Sequence, residues 1–319
     1  MTRFDDYPFL RNVKSPITDV QLRPLDPRCR CVQFDSPLTE SDHAKLAEFL
    51  GDYPTVPLRV YGHYSRPLPN LSFLRHYPFL SGFQVDVYHL ETTEGIEELP
   101  ESLEFFAFGQ TKTRRISLGF LKRFSRLKEL YLEGHTKTLD VISDLSHLEE
   151  LTLRSISLPD LTLLLPLRHL WSLDIKLGGT TDLRLLPLIG ELKYLELWMI
   201  RGLQDLSVIA EVTTLQNLLL QALKNVTALP SFRPLRCLRR VTLDTMKGLT
   251  DLSPVADAPA LEELFVFAGN QLKPDDFRPF LGHPTLKAAV IGLGSLRKND
   301  QVREILSLSD YSRTEFTYG

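Results

Sequence analysis

The stretch that decides the fold is LKYLEL (192–197), one of seven strong copies of the motif Leu-x-x-Leu-x-Leu. The other six copies are LKELYL (127–132), LEELTL (148–153), LWSLDI (170–175), LQNLLL (215–220), LRRVTL (238–243) and LEELFV (261–266). Successive copies start 21 to 23 residues apart, and they hold many of the 62 leucines among the 319 residues. Similarity at a fixed period of this length indicates a repeat architecture, which grows along one axis around a continuous core.

The spacing within the motif predicts a short β-strand in each unit. Side chains alternate across a strand, so leucines at positions 4 and 6 point inward and the residues between them point outward. Weaker copies extend the series to about ten units: LSGFQV (80–85), LEFFAF (103–108) and LKAAVI (286–291). The strands are expected to stack in parallel, with the connecting halves of the repeats on the opposite side.

The period and the strand motif resemble those of the leucine-rich repeat family. The segments GLQDLSV (202–208) and GLTDLSPV (248–255) are most similar to the bacterial, internalin-type repeats, and the resemblance covers residues 80–293. It implies an α/β solenoid, a right-handed horseshoe with a parallel concave β-sheet and with short helices, 3-10 turns and loops on the convex side. It also implies that a partner binds on the concave face.

The sequence departs from the family pattern in the turn after each strand. The family usually places Asn three residues after the last strand leucine, where its side chain satisfies backbone groups of the turn. The residues found there are His135, Ile156, Gly178, Ile200, Leu223, Met246 and Gly269. The turn must therefore close without an asparagine ladder, and this leaves the curvature open.

The ends of the repeat array need caps. Residues 1–79 are predicted to form an N-terminal cap and degenerate repeats, with strands in CRCVQF (29–34) and PLRVYG (57–62) around a helix from about residue 38 to 50. Thr39 and Asp42 suit the start of that helix. Residues 294–319 are predicted to form a C-terminal capping helix, over 297–308, and a tail that is loose from about residue 310.

Charge and composition exclude several classes of function. The 37 Lys and Arg residues nearly balance the 40 Asp and Glu residues, and a net charge of −3 disfavours nucleic acid as a partner. The N-terminal sequence has charges where a signal peptide needs an apolar run, and no apolar run approaches the roughly 20 residues of a membrane span. Three cysteines are typical of a reducing compartment, so we expect a cytoplasmic protein without membrane contact, monomeric when unbound.

Motifs for catalysis are absent from the sequence. It contains no GxGxxG, GxxxxGK[ST], GxSxG or HExxH pattern, and its eight histidines show neither helical pairing nor a neighbouring cysteine set. Only 26 residues follow Leu293, too few for a separate catalytic domain. We therefore expect a protein that is not an enzyme and that has no metal site and no cofactor.

The outward positions of the strands are the candidate partner-binding site, because recognition surfaces combine large aromatic side chains with a charged rim. One predicted apolar cluster comprises Tyr194, Trp198, Met199 and Leu219, and beside it lies a charged group of Arg154, Asp174, Lys176 and Glu196. A second predicted cluster comprises Phe265 and Phe267. The candidate partner-binding residues are Tyr131, Arg154, Asp174, Lys176, Tyr194, Glu196, Trp198, Leu219, Phe265 and Phe267. Each ring could instead have a packing role, since a repeat alignment that is off by one residue, or a loop folded onto the concave face, would bury it.

Three functions remain open at this point. The first is a non-enzymatic scaffold that binds a partner protein on the concave sheet, possible roles being inhibitor or immunity-type protein, by fold analogy alone. The second is a sensor for nucleic acid or a small polar ligand, which would use Arg154, Lys176 and a basic patch without nearby acids in the sequence. That patch comprises Lys112, Arg114, Arg115, Lys122, Arg123, Arg126 and Lys128. The third is a surface or virulence adhesin, which the N-terminal sequence disfavours.

Overall fold

The computed structural model of the chain describes residues 9–62, 68, 70–113, 115–308 and 316–319. The chain forms two compact units, Met1–Leu148 and Glu149–Gly319. Both units consist of parallel strands that follow one another in chain order, joined by short 3-10 and α-helices. No helix within the described ranges is long and apolar enough to cross a bilayer.

The first unit contains six parallel strands. They are β1 (Leu10–Asn12), β2 (Cys31–Phe34), β3 (Leu58–Tyr61), β4 (Gly82–Asp86), β5 (Phe105–Phe108) and β6 (Glu129–Glu133). Helix α1 (Glu40–Gly51) joins β2 to β3, and 3-10 helices occupy Ser72–His76, Ile96–Glu98, Leu118–Arg123 and Leu139–Asp144. The strands predicted in 29–34 and 57–62 are thus confirmed, and the ladder already begins at β1, which the sequence analysis did not identify.

Helix α1 begins with the capping box that the sequence predicts. The Thr39 hydroxyl accepts a hydrogen bond from the Asp42 backbone N–H at 3.1 Å, while the Asp42 carboxylate accepts from the Thr39 N–H. The same carboxylate accepts from the Ile17 N–H at 2.8 Å and from the Ser15 hydroxyl. Asp42 therefore joins the start of α1 to the segment before β2, and these hydrogen bonds lower its pKa to about 2.

The second unit contains seven parallel strands. They are β7 (Glu150–Arg154), β8 (Ser172–Lys176), β9 (Tyr194–Trp198), β10 (Asn217–Gln221), β11 (Arg240–Asp244), β12 (Glu263–Phe267) and β13 (Ala288–Ile291). The connections hold 3-10 helices at Thr162–Leu164, Leu186–Leu188, Ser207–Glu211 and Pro274–Phe280, and helix α2 at Ser253–Ala256. The unit also contains α3 (Leu296–Leu306), close to the predicted capping helix.

The motif leucines fill the core as the alternation requires. In β9 the side chains of Leu195 and Leu197 are fully buried, and Leu192 before the strand is 1% exposed. Leucines of the connecting halves complete the same core, as Leu203 and Leu206 do after β9. One repeat therefore buries both its strand and its return segment against the neighbouring repeats, and it has no core of its own.

A residue in the left-handed conformation closes the turn after each strand, one position before the place where the family would have asparagine. In the second unit the residue after each strand from β7 to β12 has a positive φ between 49° and 56°; these residues are Ser155, Leu177, Met199, Ala222, Thr245 and Ala268. The first five donate their N–H groups to the next repeat, as Leu177 does to the Trp198 carbonyl at 2.8 Å; after β12 it is Gly269 that donates, to the Gly292 carbonyl at 2.9 Å. The following residue, such as Ile200 or Met246, is then turned into the core and buried. An apolar residue thus stands in place of the asparagine, and backbone hydrogen bonds between repeats satisfy the turn.

The C-terminal end differs from the prediction of a loose tail. In α3, Val302 and Leu306 are buried and cover the end of the unit. Residues 310–315 of the predicted tail lie outside the described residues. The prediction is wrong for Phe316–Gly319, which pack on the strand side of the same unit, with the Tyr318 ring centroid 4.9 Å from that of Trp171. Two aromatic side chains in this tetrapeptide bury more apolar surface than a disordered tail would allow.

The inward register is tested by two substitutions of the same chemistry. Leu195→Ala removes a fully buried side chain, and we expect the free energy of unfolding to fall by about 2–5 kcal/mol because of lost burial and the cavity left behind. Leu188→Ala alters a leucine that is 58% exposed, and we expect a change within about 0.5 kcal/mol. Urea denaturation of both variants measures this, and equal destabilisation would contradict the register.

The role of Asp42 predicts a pH dependence. We expect Asp42→Asn to lower the free energy of unfolding by about 1–3 kcal/mol, because an amide cannot accept all the hydrogen bonds that the carboxylate accepts. The pKa of Asp42 in the folded protein lies below the ordinary aspartate value of 3.8, so the stabilisation is present above pH 4 and is lost as the pH falls towards 2. Chemical denaturation between pH 2 and pH 7 measures it. The control Asp52→Asn changes an exposed carboxylate at the other end of α1 and should have little effect.

Candidate functional site

The strand register of the second unit places the outward side chains in two columns. The first column contains Thr152, Asp174, Glu196, Leu219, Thr242 and Phe265, and the second contains Arg154, Lys176, Trp198, Gln221, Asp244 and Phe267. We call the surface formed by these two columns the strand face. Nine of the ten sequence-predicted site residues lie on it or, like Tyr194, at the start of one of its strands.

Three of the four residues of the predicted charged group, Asp174, Lys176 and Glu196, form a compact ionic network on β8 and β9, and the fourth, Arg154, lies over Trp198. The Lys176 ammonium lies 3.2 Å from a carboxylate oxygen of Asp174 and 2.9 Å from one of Glu196. The Tyr194 hydroxyl donates to Glu196 at 2.9 Å, and the Thr152 hydroxyl donates to Asp174 at 3.0 Å. The side chains of the three charged residues are 11–18% exposed. Most of their hydrogen-bonding capacity is thus used within the protein. The network therefore holds the neighbouring strands in place and offers little exposed charge to a partner.

Burial changes the acidity of this network. Oδ1 of Asp174 is buried and has no hydrogen-bond partner among the described residues. This desolvation raises the pKa of Asp174 to about 6, against the opposing effect of Lys176 and with the support of the nearby Glu196 charge. Burial also raises the pKa of the Tyr194 phenol, and the carboxylates of Asp174 and Glu196 add to that effect. Tyr194 therefore acts as a neutral hydrogen-bond donor throughout the physiological range.

Trp198, an aromatic residue of the first predicted cluster, lies beside this network. Trp198 is half-buried, and the guanidinium of Arg154 lies over its ring at 5.0 Å from the centroid. The next residue, Met199, is 50% exposed in the left-handed turn, and Leu219 is half-buried on β10. An indole, a thioether and a leucine thus form an accessible apolar surface next to buried charges, a combination found at the centres of protein interfaces.

The two phenylalanines of the second predicted cluster have different environments. Their ring centroids are 6.3 Å apart, but Phe265 is 9% exposed whereas Phe267 is 41% exposed. The Arg240 guanidinium covers the Phe265 ring at 5.2 Å from its centroid. Phe267 is therefore accessible to a partner, and Phe265 packs within the surface beneath Arg240.

Tyr131 lies in the first unit, on β6, where its hydroxyl donates to Glu133 at 3.0 Å. The described part of the basic patch also lies in that unit, and Arg114 falls outside the described residues. Several of the patch cations pair with acids of neighbouring repeats, as Lys122 does with Asp144 at 3.3 Å and Lys128 with Glu104 at 3.1 Å. These ion pairs reduce the positive potential of the patch.

Four side chains that stand just before the strands of the second unit were not among the predicted site residues. Trp171, Lys193, Gln216 and Arg239 each stand just before a strand, and their backbones pair with one another; for example, the Gln216 N–H donates to the Lys193 carbonyl at 2.8 Å. We call these four residues the edge row. They recur every 22 or 23 residues immediately before the strands, so the repeat alignment itself could have found them if its first outward position had been considered.

Among the described residues, no group of three or more His, Cys, Asp or Glu side chains is arranged to hold a metal ion. The three cysteines form no disulfide: Cys31 is buried, Cys29 is partly exposed, and Cys237 is exposed. Burial raises the pKa of the Cys31 thiol to about 12, so this group stays protonated and unreactive at neutral pH.

Solved structures similar to this chain are leucine-rich repeat proteins. An internalin (inlF) from Listeria monocytogenes matches with a TM-score of 0.51 and 23% identity, over 68% of this chain and 62% of its own. A TLR13–ssRNA13 complex matches with a TM-score of 0.49 and 17% identity, over 89% of this chain and half of its own. Internalin C2 (inlC2) from Listeria monocytogenes matches with a TM-score of 0.37 and 19% identity, over 79% of this chain and 83% of its own.

No protein-family model and no curated protein matches the sequence. The chain spans less than two thirds of the length of the inlF internalin that it matches. At this level of identity the similarity concerns the fold alone. Together with the repeat register and the parallel strands, it shows that the chain has the leucine-rich repeat fold.

The buried carboxyl of Asp174 predicts a pH dependence opposite to that of Asp42. The pKa of Asp174 in the folded protein is raised above the ordinary aspartate value of 3.8, so the folded state binds the proton more tightly, and stability falls as the pH rises from about 4 to about 6. We expect Asp174→Asn to remove this decrease, which is on the order of 1–3 kcal/mol. Urea denaturation of both proteins at pH 4, 5, 6 and 7 measures it, and parallel curves would contradict the assignment.

Proposed function

We propose that this leucine-rich repeat protein is a non-enzymatic scaffold that binds a partner protein through the strand face of its second unit. The observation that carries the proposal is the accessible apolar cluster of Trp198, Met199 and Leu219, held next to the Lys176 network. Binding hot spots are rich in aromatic side chains that a partner desolvates fully, and they are surrounded by residues that exclude water.

The rigidity of the surroundings supports this function. Trp198 emerges from a parallel strand that is hydrogen-bonded on both sides, and Arg154 covers one part of its ring. A side chain that is already fixed loses little conformational entropy when a partner binds. The ionic network fixes the neighbouring strands β8 and β9 in the same way, because Lys176 links Asp174 on its own strand to Glu196 on the next.

Within this function, we propose inhibition or neutralisation of another protein as the biological role and the cytoplasm as the location. The role rests on analogy with the fold, since a curved stack of strands offers a large surface to a folded partner. The location rests on the cysteine content, because three cysteines without a disulfide are typical of a reducing compartment. A cell-surface adhesin is a weaker candidate for the same reason.

Recognition of nucleic acid is the second candidate, and the basic patch is the observation that favours it. Lys112 and Arg115 line an open cleft of about 610 Å³ together with His89 and Glu91. A nucleic-acid or heparin-type ligand held there would dissociate steeply as salt increases, because phosphate or sulfate contacts release counterions. Retention on a heparin column that is lost between 50 and 200 mM salt, and reduced by K112A/R115A, would favour this candidate.

The protein-binding function is tested at Trp198. We expect Trp198→Ala to weaken the complex with the partner protein by about 2 kcal/mol or more, because the variant removes the largest accessible side chain of the cluster. The partner is first identified as a protein that co-purifies with the wild-type chain in a fixed stoichiometry. Its affinity for the purified variants is then measured by isothermal titration calorimetry.

Leu188→Ala serves as the control, because it truncates an exposed side chain in a connecting 3-10 helix, away from the strands. It should keep the wild-type affinity. Wild-type affinity in the Trp198→Ala variant, with a melting temperature that shows an intact fold, would contradict a binding site on the strand face. Loss of affinity in both variants would also contradict it.

A further inference from the structure

The tetrapeptide Phe316–Gly319 lies on the edge row and the adjoining strand starts of the second unit. Its backbone is bound by side chains: the Gly319 carbonyl accepts from the Lys193 ammonium at 2.6 Å and from the Gln216 amide at 3.2 Å. The Gly319 N–H donates to the Gln216 side-chain oxygen at 3.0 Å. The Thr317 carbonyl accepts from the Arg239 guanidinium. These contacts recognise a peptide backbone and not a particular sequence.

The two aromatic side chains of the tetrapeptide supply specificity. The Tyr318 ring lies 4.9 Å from the Trp171 ring and 6.5 Å, edge-on, from the Tyr194 ring, and its hydroxyl accepts from the Asn217 amide at 3.2 Å. The Phe316 ring lies against two guanidiniums, those of Arg239 at 4.6 Å and Arg240 at 4.7 Å from its centroid.

Side-chain alternation within the tetrapeptide is that of an extended segment. Phe316 and Tyr318 are half-buried against the unit and their rings are 4.9 Å apart, whereas Thr317 between them is exposed. Four extended residues span roughly 10 Å from the first to the last Cα, which is about two of the 4.8 Å steps between neighbouring strands. With its side chains the tetrapeptide still contacts all four residues of the edge row: Phe316 and Thr317 contact Arg239, Tyr318 contacts Trp171, and Gly319 contacts Lys193 and Gln216.

We propose that the edge row, with Tyr194, Asn217 and Arg240, is a binding site for an extended protein segment carrying two aromatic side chains two residues apart. The chain's own residues 316–319 occupy this site intramolecularly and compete with such a segment in a partner. That the partner is a protein rests on the proposed function, and Tyr194 links this site to the ionic network through its hydrogen bond to Glu196. An attached tail competes at an effective concentration that is typically millimolar, so it weakens the apparent affinity for the partner segment.

The test uses the full chain and the peptide EFTYG carrying fluorescein on its N-terminal amine and an amide at its C-terminus, so that the peptide lacks a terminal carboxylate. F316A/Y318A removes both rings of the attached tail and should bind this peptide at least roughly tenfold more tightly than the wild type, by fluorescence anisotropy. The control T317A changes an exposed side chain and should behave as the wild type does. The peptide EATAG should not bind. Equal affinity of wild type and F316A/Y318A for EFTYG, or equal binding of the two peptides, would overturn the proposal.

Two further measurements cover the remaining outcomes. In a W198F background Trp171 is the remaining tryptophan, and Y318A should make its acrylamide quenching at least about twofold stronger than T317A does; equal quenching would overturn the docking of the tail. Adding R239A to F316A/Y318A should weaken peptide binding by roughly tenfold, and an unchanged affinity would place the peptide elsewhere.

If W198A abolishes partner binding while the peptide results are negative, this inference fails and the proposed function stands. Positive peptide results with unaffected partner binding in W198A leave this inference standing alone.

Discussion

The hydrogen-bonded ladder between parallel strands, one strand per repeat, is the constraint on which the rest of each unit depends. Because each strand pairs in phase with the next, a position in one repeat lies beside the same position in its neighbours, about 4.8 Å away. Every property of a repeat position therefore becomes a property of a column. The leucine columns form the core, the outward columns form the strand face, and the residues before the strands form the edge row.

The same constraint explains why charges are buried on an outward surface. Asp174, Lys176 and Glu196 are held at ladder spacing, where each shields the others from water, and their side chains keep only 11–18% of their exposure. The Lys176 ammonium between two carboxylates compensates only part of the desolvation of Asp174, and the unpaired oxygen of Asp174 remains costly. Crowding on the ladder thus turns residues that look like a charged rim into a rigid base, and it leaves recognition to Trp198 and its exposed neighbours.

Much of this could be predicted from the sequence, because the motif is both local and periodic. The strand starts, the inward leucines, the capping box at Thr39 and Asp42, and the two outward columns all follow from spacing. The turn conformation could not be predicted, since a residue such as Leu177 or Thr245 gives no local sign that it adopts a positive φ. The different exposure of Phe265 and Phe267 was equally out of reach, because it depends on Arg240 from the neighbouring strand.

The sequence by itself determined the period, the direction in which each side chain points and the absence of any familiar catalytic motif, since these depend only on residue types and their spacing along the chain. Only the tertiary structure decided which outward residues remain accessible and where the last residues of the chain lie. Both depend on contacts between distant segments: Tyr318 meets Trp171 across a sequence separation that no local pattern encodes. The physical reason is that exposure is a property of everything packed around a side chain, whereas alternation is a property of one strand.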